Sequence, residues 1–348
     1  MKKIFAIALS VLMLVSLLTA CGGEKPADKP AATLKFGAGV QSAITPADAT
    51  AEKNASGTLD ASLAAVLVDA DGKIVACQLD AVNMKTEFLA DGKVKPVADK
   101  DLKSKVEQGD EYNMVNYGKG QAIDGGDVKN EWYQQADILE TLVIGKTIAE
   151  VKALVVNGYR GNDAVISAGC TIGINDLVLA VEKAVANATV EVAADAKLSI
   201  GVNGQQKVTE ASAEANASNK LTANIFIAAV DAAGKVLACS TDCVENTFTL
   251  KDNKVEIDNK DGLSKRNKGD GYKMVAYGKG QAIDGGDVKN EWYVQVNAFD
   301  AACVGKTASE IAGLMLTEGQ HAGRGIDSLQ AAGCTVYVSG FVAAAAKI

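Results

Sequence analysis

YGKGQAIDGGDVKNEWY, residues 117–133, returns letter for letter as residues 277–293, 160 positions further along a chain of 348. Seventeen consecutive identities do not arise by chance, so the chain reads as one module written twice. A feature present in both copies is a candidate for a shared role, and a feature in one copy is not. Upstream of the block, the apolar runs 62–68 and 224–229 each meet an Asp-led turn, Asp69-Ala70-Asp71-Gly72 and Asp231-Ala232-Ala233-Gly234. A second run follows each turn, at 73–78 and 235–240, which is the pattern of a β-hairpin. Neither turn has the twelve-residue, Glu-terminated ligand pattern of a calcium loop. Residues 87–107 are charged and differ from their counterparts, which predicts a solvent-facing excursion.

Downstream, Trp132, Ala136, Leu139 and Val143 fall at helical spacing, as do Trp292, Val296, Phe299 and Cys303. Gly145 and Gly305 stop these helices, and Thr147…Glu150 and Thr307…Glu310 open the next ones as capping boxes. The Gly-Lys-Thr string at this junction is not a phosphate loop, because Glu140 and Asp300 stand where that motif needs its first glycine. Each copy closes on Ala-Gly-Cys-Thr, at 168–171 and 332–335. We expect a strand before that corner and a helix after it, 176–187 in the first copy, with backbone donors open at the turn. The fold expected is α+β: two tandem repeats of one small module, each an antiparallel sheet with a few packed helices. The corresponding domains are 34–190 and 191–348, each large enough to bury its own core.

The first twenty residues read as a processing signal: Lys2 and Lys3, then an apolar stretch at 4–18 too short for a membrane span. It ends in Leu18-Thr19-Ala20-Cys21, the form of a bacterial lipobox, which makes Cys21 the lipidation site and residues 21–33 a polar tether. Two acyl chains suffice for stable attachment, which places the chain at the cell membrane, lipid-anchored on the extracytoplasmic face. Removing residues 1–20 takes away Lys2 and Lys3, so the net charge moves from −8 to −10. That acidity argues against nucleic acid as a partner. The cysteines beyond Cys21 form no CxxC or zinc spacing and are expected as small buried residues. The single histidine, His321, occurs in one copy alone, so no His-based metal site or catalytic triad is expected.

The lipobox, the passage from Tyr117-Gly118 through Glu131-Trp132-Tyr133 to Gly145-Lys146-Thr147, and the small-residue corner before the last helix together resemble the FMN-binding-domain lipoproteins of bacterial extracellular electron transfer. The resemblance covers most of both copies. It implies FMN as cofactor, a membrane redox partner, and a carrier of electrons rather than a catalyst. In that family a hydroxyl of the closing motif is esterified by FMN phosphate. The register that matches Gly169 and Thr171 puts Gly173 at the acceptor position, and Tyr337 in the second copy. The other register makes Thr171 and Thr335 the acceptors, with Ser167-Ala168 and Ala331-Ala332 at the Gly-Ala positions. We favour the first register, so the flavin expected is non-covalent. Its expected contacts are Gly169, Cys170 and Thr171 with Gly118, Lys119 and Gly120, and in the second copy Gly333, Cys334 and Thr335 with Gly278, Lys279 and Gly280. Trp132 and Trp292 are read as core anchors, with stacking on a flat ring as the alternative. A non-redox lipoprotein that binds a small molecule, peptide or cell-envelope material, or serves a structural role, is the competing reading.

Overall fold

The structure, a computed structural model, describes residues 33–119, 128–279, 288–319 and 321–348. The signal, Cys21, most of the tether, and Gly120 and Gly280 lie outside the described residues. The first half runs β1 (Thr33–Ala47), β2 (Ala55–Val68), β3 (Ile74–Phe88), β4 (Val94–Lys95), α1 (Lys105–Gln108), α2 (Met114–Tyr117), α3 (Trp132–Val143), α4 (Ile148–Lys152), β5 (Val155–Val156), β6 (Arg160–Gly161), α5 (Asp163–Ser167) and α6 (Asn175–Ala186). The second runs β7 (Val190–Ala193), β8 (Lys197–Thr209), β9 (Ser218–Val230), β10 (Val236–Lys251), β11 (Lys254–Ile257), α7 (Lys265–Lys268), α8 (Met274–Gly278), α9 (Trp292–Cys303), α10 (Ala308–Ala312), α11 (Asp327–Ala331) and α12 (Ser339–Ala345). The fold is mixed α+β. One antiparallel sheet has the order β4-β3-β2-β1-β7 and another β11-β10-β9-β8. The boundary expected after residue 190 falls inside β7, which pairs with β1.

The hairpins form where the turn chemistry placed them. Asp69 Oδ1 accepts from the amides of Asp71 and Lys73, and Gly72 takes φ +77°. Asp231 does the same with Ala233 and Lys235, beside Gly234 at φ +75°. The strands extend well beyond the apolar runs, however, because both faces of each central strand are covered. Along β2, Leu59, Ala61, Leu63, Ala65 and Leu67 face one core, and Ala64, Val66 and Val68 face another. Along β9, Leu221, Ala223, Ile225, Ile227 and Ala229 join the first of these cores, while Phe226 and Ala228 face a third. The alternation of side chains across a strand therefore sorts residues between two buried faces rather than between core and water.

The layers are helices, sheet, sheet, helices. The outer cores hold α3 and α6 on the first sheet, and α9 and α12 on the second. Glycines let these helices lie on the strands: a Cβ at Gly39 of β1 would come 2.1 Å from the Ala180 carbonyl oxygen, and one at Gly201 of β8 2.0 Å from that of Ala344. The central core is shared by the two sheets, so Ala32–Ile348 forms one unit. Polar groups cross the same boundary. Gln206 exchanges two hydrogen bonds with the Val97 backbone (2.9 and 2.7 Å), and Ser42 Oγ donates to the Gly262 carbonyl at 2.6 Å. The excursion at 87–107 is consequently not solvent-facing throughout, contrary to expectation. Val94, Val97 and Ser104 are buried, because its backbone is bonded to the other half.

Candidate functional site

The described ends of the invariant stretch meet each other. A Cβ at Gly118 would sit 2.4 Å from Val128 Cγ2, and one at Gly278 2.6 Å from Val288 Cβ, so both positions require glycine for packing. Glu131 then reaches back, its carboxylate accepting from the amides of Met114 (2.7 Å) and Val115 (3.2 Å) at the start of α2. Glu291 repeats this with Met274 and Val275 at the same distances. A carboxylate on the free donors of a helix N-terminus satisfies them and suits the helix dipole. The last residues of the invariant stretch thus fix the segment that leads into it.

The same stretch holds the Gly-Cys-Thr corner. Asn130 Nδ2 donates to the Gly169 carbonyl at 3.1 Å, and Asn290 Nδ2 to that of Gly333 at 3.4 Å. Gln135, buried in α3, accepts from Thr171 N, Thr171 Oγ1 and Ile172 N on its Oε1, and donates from Nε2 to Met114 Sδ and the Asn130 carbonyl. Gln295 repeats the bonds to Thr335 N, Thr335 Oγ1, Met274 and Asn290. Gln135 and Gln295, with Asn130 and Asn290, therefore tie the Gly-Cys-Thr corner to the end of the invariant stretch and to Met114 and Met274. Among the described residues no hydrogen bond joins the corner directly to Gly118, Lys119, Gly278 or Lys279.

Two expectations at this corner are corrected. The residues before it are helical, not a strand: α5 and α11 precede the turn, and Gly169 and Gly333 end them at φ +100° and +96°. Asn162 caps α5 by accepting from Val165 N, and the buried Val165 anchors it. Nor are the turn donors open. Gly169 N and Cys170 N bond back to Ile166 and Val165 carbonyls, and Gln135 takes the next two amides. Cys170 and Cys334 are fully buried, and burial pushes their thiols up to about 11 and about 12. Neither cysteine presents a reactive thiolate. The described cysteines beyond Cys21 are all free thiols.

In front of each glutamine lies a cleft. In the first half, about 400 Å³ is lined among the described residues by Tyr112, Met114, Tyr117, Gly118 and Val128, together with Lys100, Asp101 and the buried Gln108. In the second, about 580 Å³ is lined by Tyr272, Met274, Tyr277, Gly278 and Val288, with Lys265, Lys268, Lys273, Glu245 and Asp258 among the charged groups. Tyr117 and Tyr277 are 68% and 73% exposed, so each offers a ring to solvent. Lys119 lines an adjoining cleft with Asn113, Asn116 and Glu131, and Lys279 is exposed. Trp132 and Trp292 are buried behind the clefts. Lys105 Nζ stands 5.1 and 5.2 Å from the Tyr112 and Trp132 ring centres, and Lys265 Nζ 5.2 and 5.7 Å from those of Tyr272 and Trp292.

The reading that began at residue 117 missed Tyr112, Met114, Tyr272 and Met274. Their signal was available: Tyr-x-Met-Val recurs at 112–115 and 272–275, just ahead of the invariant stretch.

The positions aligned with a flavin acceptor are filled otherwise. Gly173 pairs with Arg160 across a β-bridge, and a Cβ there would strike the Tyr159 ring at 2.4 Å. Tyr337 pairs with Arg324 in the second half, its ring centre 5.2 Å from the guanidinium carbon. A tyrosine ring thus comes from opposite strands of the same bridge, with glycine facing it each time: Tyr159 with Gly173, Tyr337 with Gly323. Among the described residues no group of three or more metal-ligating side chains gathers.

No family model matches this chain, and no solved structure matches it. A chlorophenol reductase from Desulfitobacterium hafniense is 31% identical over 132 residues, which is 35% of this chain and 38% of that protein. The chain therefore spans well under half the length of that curated relative.

Proposed function

We propose that this chain is a membrane-tethered lipoprotein built from two repeats of an FMN-binding-like module, and that each repeat holds a flavin non-covalently in the cleft before its invariant stretch. The observation that carries the reading is the pair of clefts with matched linings: tyrosine, methionine, tyrosine, glycine and valine at 112, 114, 117, 118 and 128, and again 160 residues later. Volumes of about 400 and 580 Å³ fall within the range of small-molecule sites. Tyrosine and methionine walls suit a flat polarisable ring, and Lys273, exposed at the second cleft, supplies a cation for a phosphate. When bound, the flavin supplies the electron-accepting chemistry. The protein's share is to cradle the ring and restrict water. Catalysis by side chains is not part of the proposal, because among the described residues no general acid, base or nucleophile recurs in both repeats in a catalytic arrangement. Anchoring through Cys21 would hold the carrier beside a membrane redox partner.

A second reading, a non-redox binding lipoprotein, is favoured by one observation. Gln135 and Gln295 occupy the turn amides and threonine hydroxyls that a phosphate would otherwise use. Protein purified from its own host decides between them. The flavin reading requires visible flavin absorption that is released on denaturation. Colourless protein whose melting temperature does not respond to added FMN would reject it. Cys21→Ser should move the protein from the membrane to the soluble fraction, and retention in the membrane would remove the anchor.

A further inference from the structure

The two clefts share a backbone and differ in charge. Gly109 and Gly269 take φ +52° and +51°, and Asn113 and Lys273 take φ +62° and +59°. On this common frame Gln108 is replaced by Lys268, Glu111 by Gly271, and Asn113 by Lys273. Each of these three exchanges adds positive or removes negative charge. The second lining also holds Glu245 and Asp258, so its three lysines and two acids leave one net positive charge, whereas Lys100 and Asp101 cancel in the first. Two of its lysines are already committed, Lys265 to Glu245 at 2.9 Å and Lys268 to Asp261 at 3.2 Å. Among the described residues Lys273 makes no ion pair, and it is exposed at the cleft wall. In the first half Glu111 stands where Gly271 does, its carboxylate paired with Lys103 at 3.5 Å.

A second observation concerns the backbone at this position. Left-handed φ is tolerated by asparagine far better than by lysine, whose side chain cannot bond locally to offset the strain. Asn113 fits that position at a smaller conformational cost. Lys273 occupies it against conformational preference, and strain of this kind concentrates where a side chain serves a ligand.

We infer that Lys273 makes the second cleft selective for a flat ligand carrying an anionic tail, a phosphate monoester, whereas the first cleft, whose lining balances Lys100 against Asp101, takes the same ring with little regard to the tail. The inference rests on the flavin reading above and goes further in assigning different ligand classes to the two sites. An unpaired ammonium at the rim attracts a phosphate through water, so the preference is modest and salt-dependent.

The test is a titration of the full chain with FMN and with riboflavin, which share a ring and differ in the phosphate, followed by flavin fluorescence at low and high salt. At low salt one site should bind FMN about fivefold more tightly than riboflavin, and high salt should erase the difference. Lys273→Asn installs the residue already tolerated at Asn113, so folding is retained; this variant should bind both flavins equally. Asn113→Lys should create a second FMN-preferring site. Equal binding of both flavins by the unaltered chain, or an FMN preference that survives in Lys273→Asn, overturns the inference and leaves the flavin reading standing. Binding of neither flavin overturns both.

Discussion

Gln135 illustrates what a single side chain settles. Its amide satisfies two corner amides and a hydroxyl, and donates to a thioether and a carbonyl. Gln135→Leu keeps the volume and leaves these buried partners unpaired, so it should lower stability by about 2–4 kcal/mol in urea denaturation; a change under about 1 kcal/mol would mean the corner does not depend on it. The position was legible, since glutamine recurs at 135 and 295 at helical spacing from Trp132 and Trp292 while Val294 matches Gln134, but nothing in the sequence names the corner amides it bonds. Glu140 carries a second consequence. Its Oε1 accepts from Leu79 N at 2.7 Å, and burial pushes its carboxyl up to about 7 from 4.5. In the second half Asp300 holds the comparable bond to Thr241 N but has Arg266 at 2.8 Å, whereas Val106 stands at the arginine's place. The native pKa lies above the unfolded value, so folding takes up a proton between about pH 4.5 and 7. This contribution to stability is complete below that window and lost as pH rises through it. Glu140→Gln retains the acceptor and should raise stability at pH 8 by about 1–3 kcal/mol while flattening the profile. A variant whose stability falls with pH as steeply as the unaltered chain would exclude Glu140 as the source.

Elements with strong local chemistry were read correctly from sequence. The hairpin turns, α3 and α9 with their buried faces, and the capping boxes at Thr147 and Thr307 are where spacing and residue type placed them. β1 and β8 were not read. They carry Gly37, Gly39, Gly201 and Gly204, which weaken both the apolar alternation and the strand propensity a reader relies on. Those glycines answer to distant partners instead. At Gly39 an added Cβ would lie 2.1 Å from Ala180 O and 2.5 Å from Ala184 N, both backbone atoms of α6 that cannot swing aside. Gly39→Ala should therefore cost about 2–4 kcal/mol by displacing α6 from the sheet. Gly271→Ala, where nothing lies within 4 Å, is the control and should change stability by about 1 kcal/mol or less. Equal effects at the two sites would show that α6 does not press on β1 as described. The helical turn before the Gly-Cys-Thr corner was mistaken for the same kind of reason: five residues give too little periodicity to separate helix from strand, and the deciding cap at Asn162 lies outside the motif.

At the scale of the whole molecule, the sequence suggested two bodies, and the packing joins them. A run such as 62–68 shows that a strand is apolar, but not that its second face meets a sheet 160 residues away. Leu59 and Leu63 of β2 share a core with Leu221 and Ile225 of β9, and Asn219 Nδ2 crosses between the sheets to Thr86 Oγ1 at 3.1 Å. Unfolding either half alone would expose that whole face of the other, so the hydrophobic gain is lost jointly. The described chain should then melt in one transition. The two tryptophans permit a direct measurement, since Trp132 lies in the first half and Trp292 in the second. With Trp292→Phe the fluorescence reports the first half, and with Trp132→Phe it reports the second. Leu221→Ala, which empties a fully buried site in the second sheet, should cost about 2–5 kcal/mol and shift the Trp132 signal as far as the Trp292 signal. Should Leu221→Ala shift only the Trp292 transition, leaving Trp132 to melt at its original temperature, the two sheets would be neighbours without sharing stability, and the central core would contribute little to holding them together.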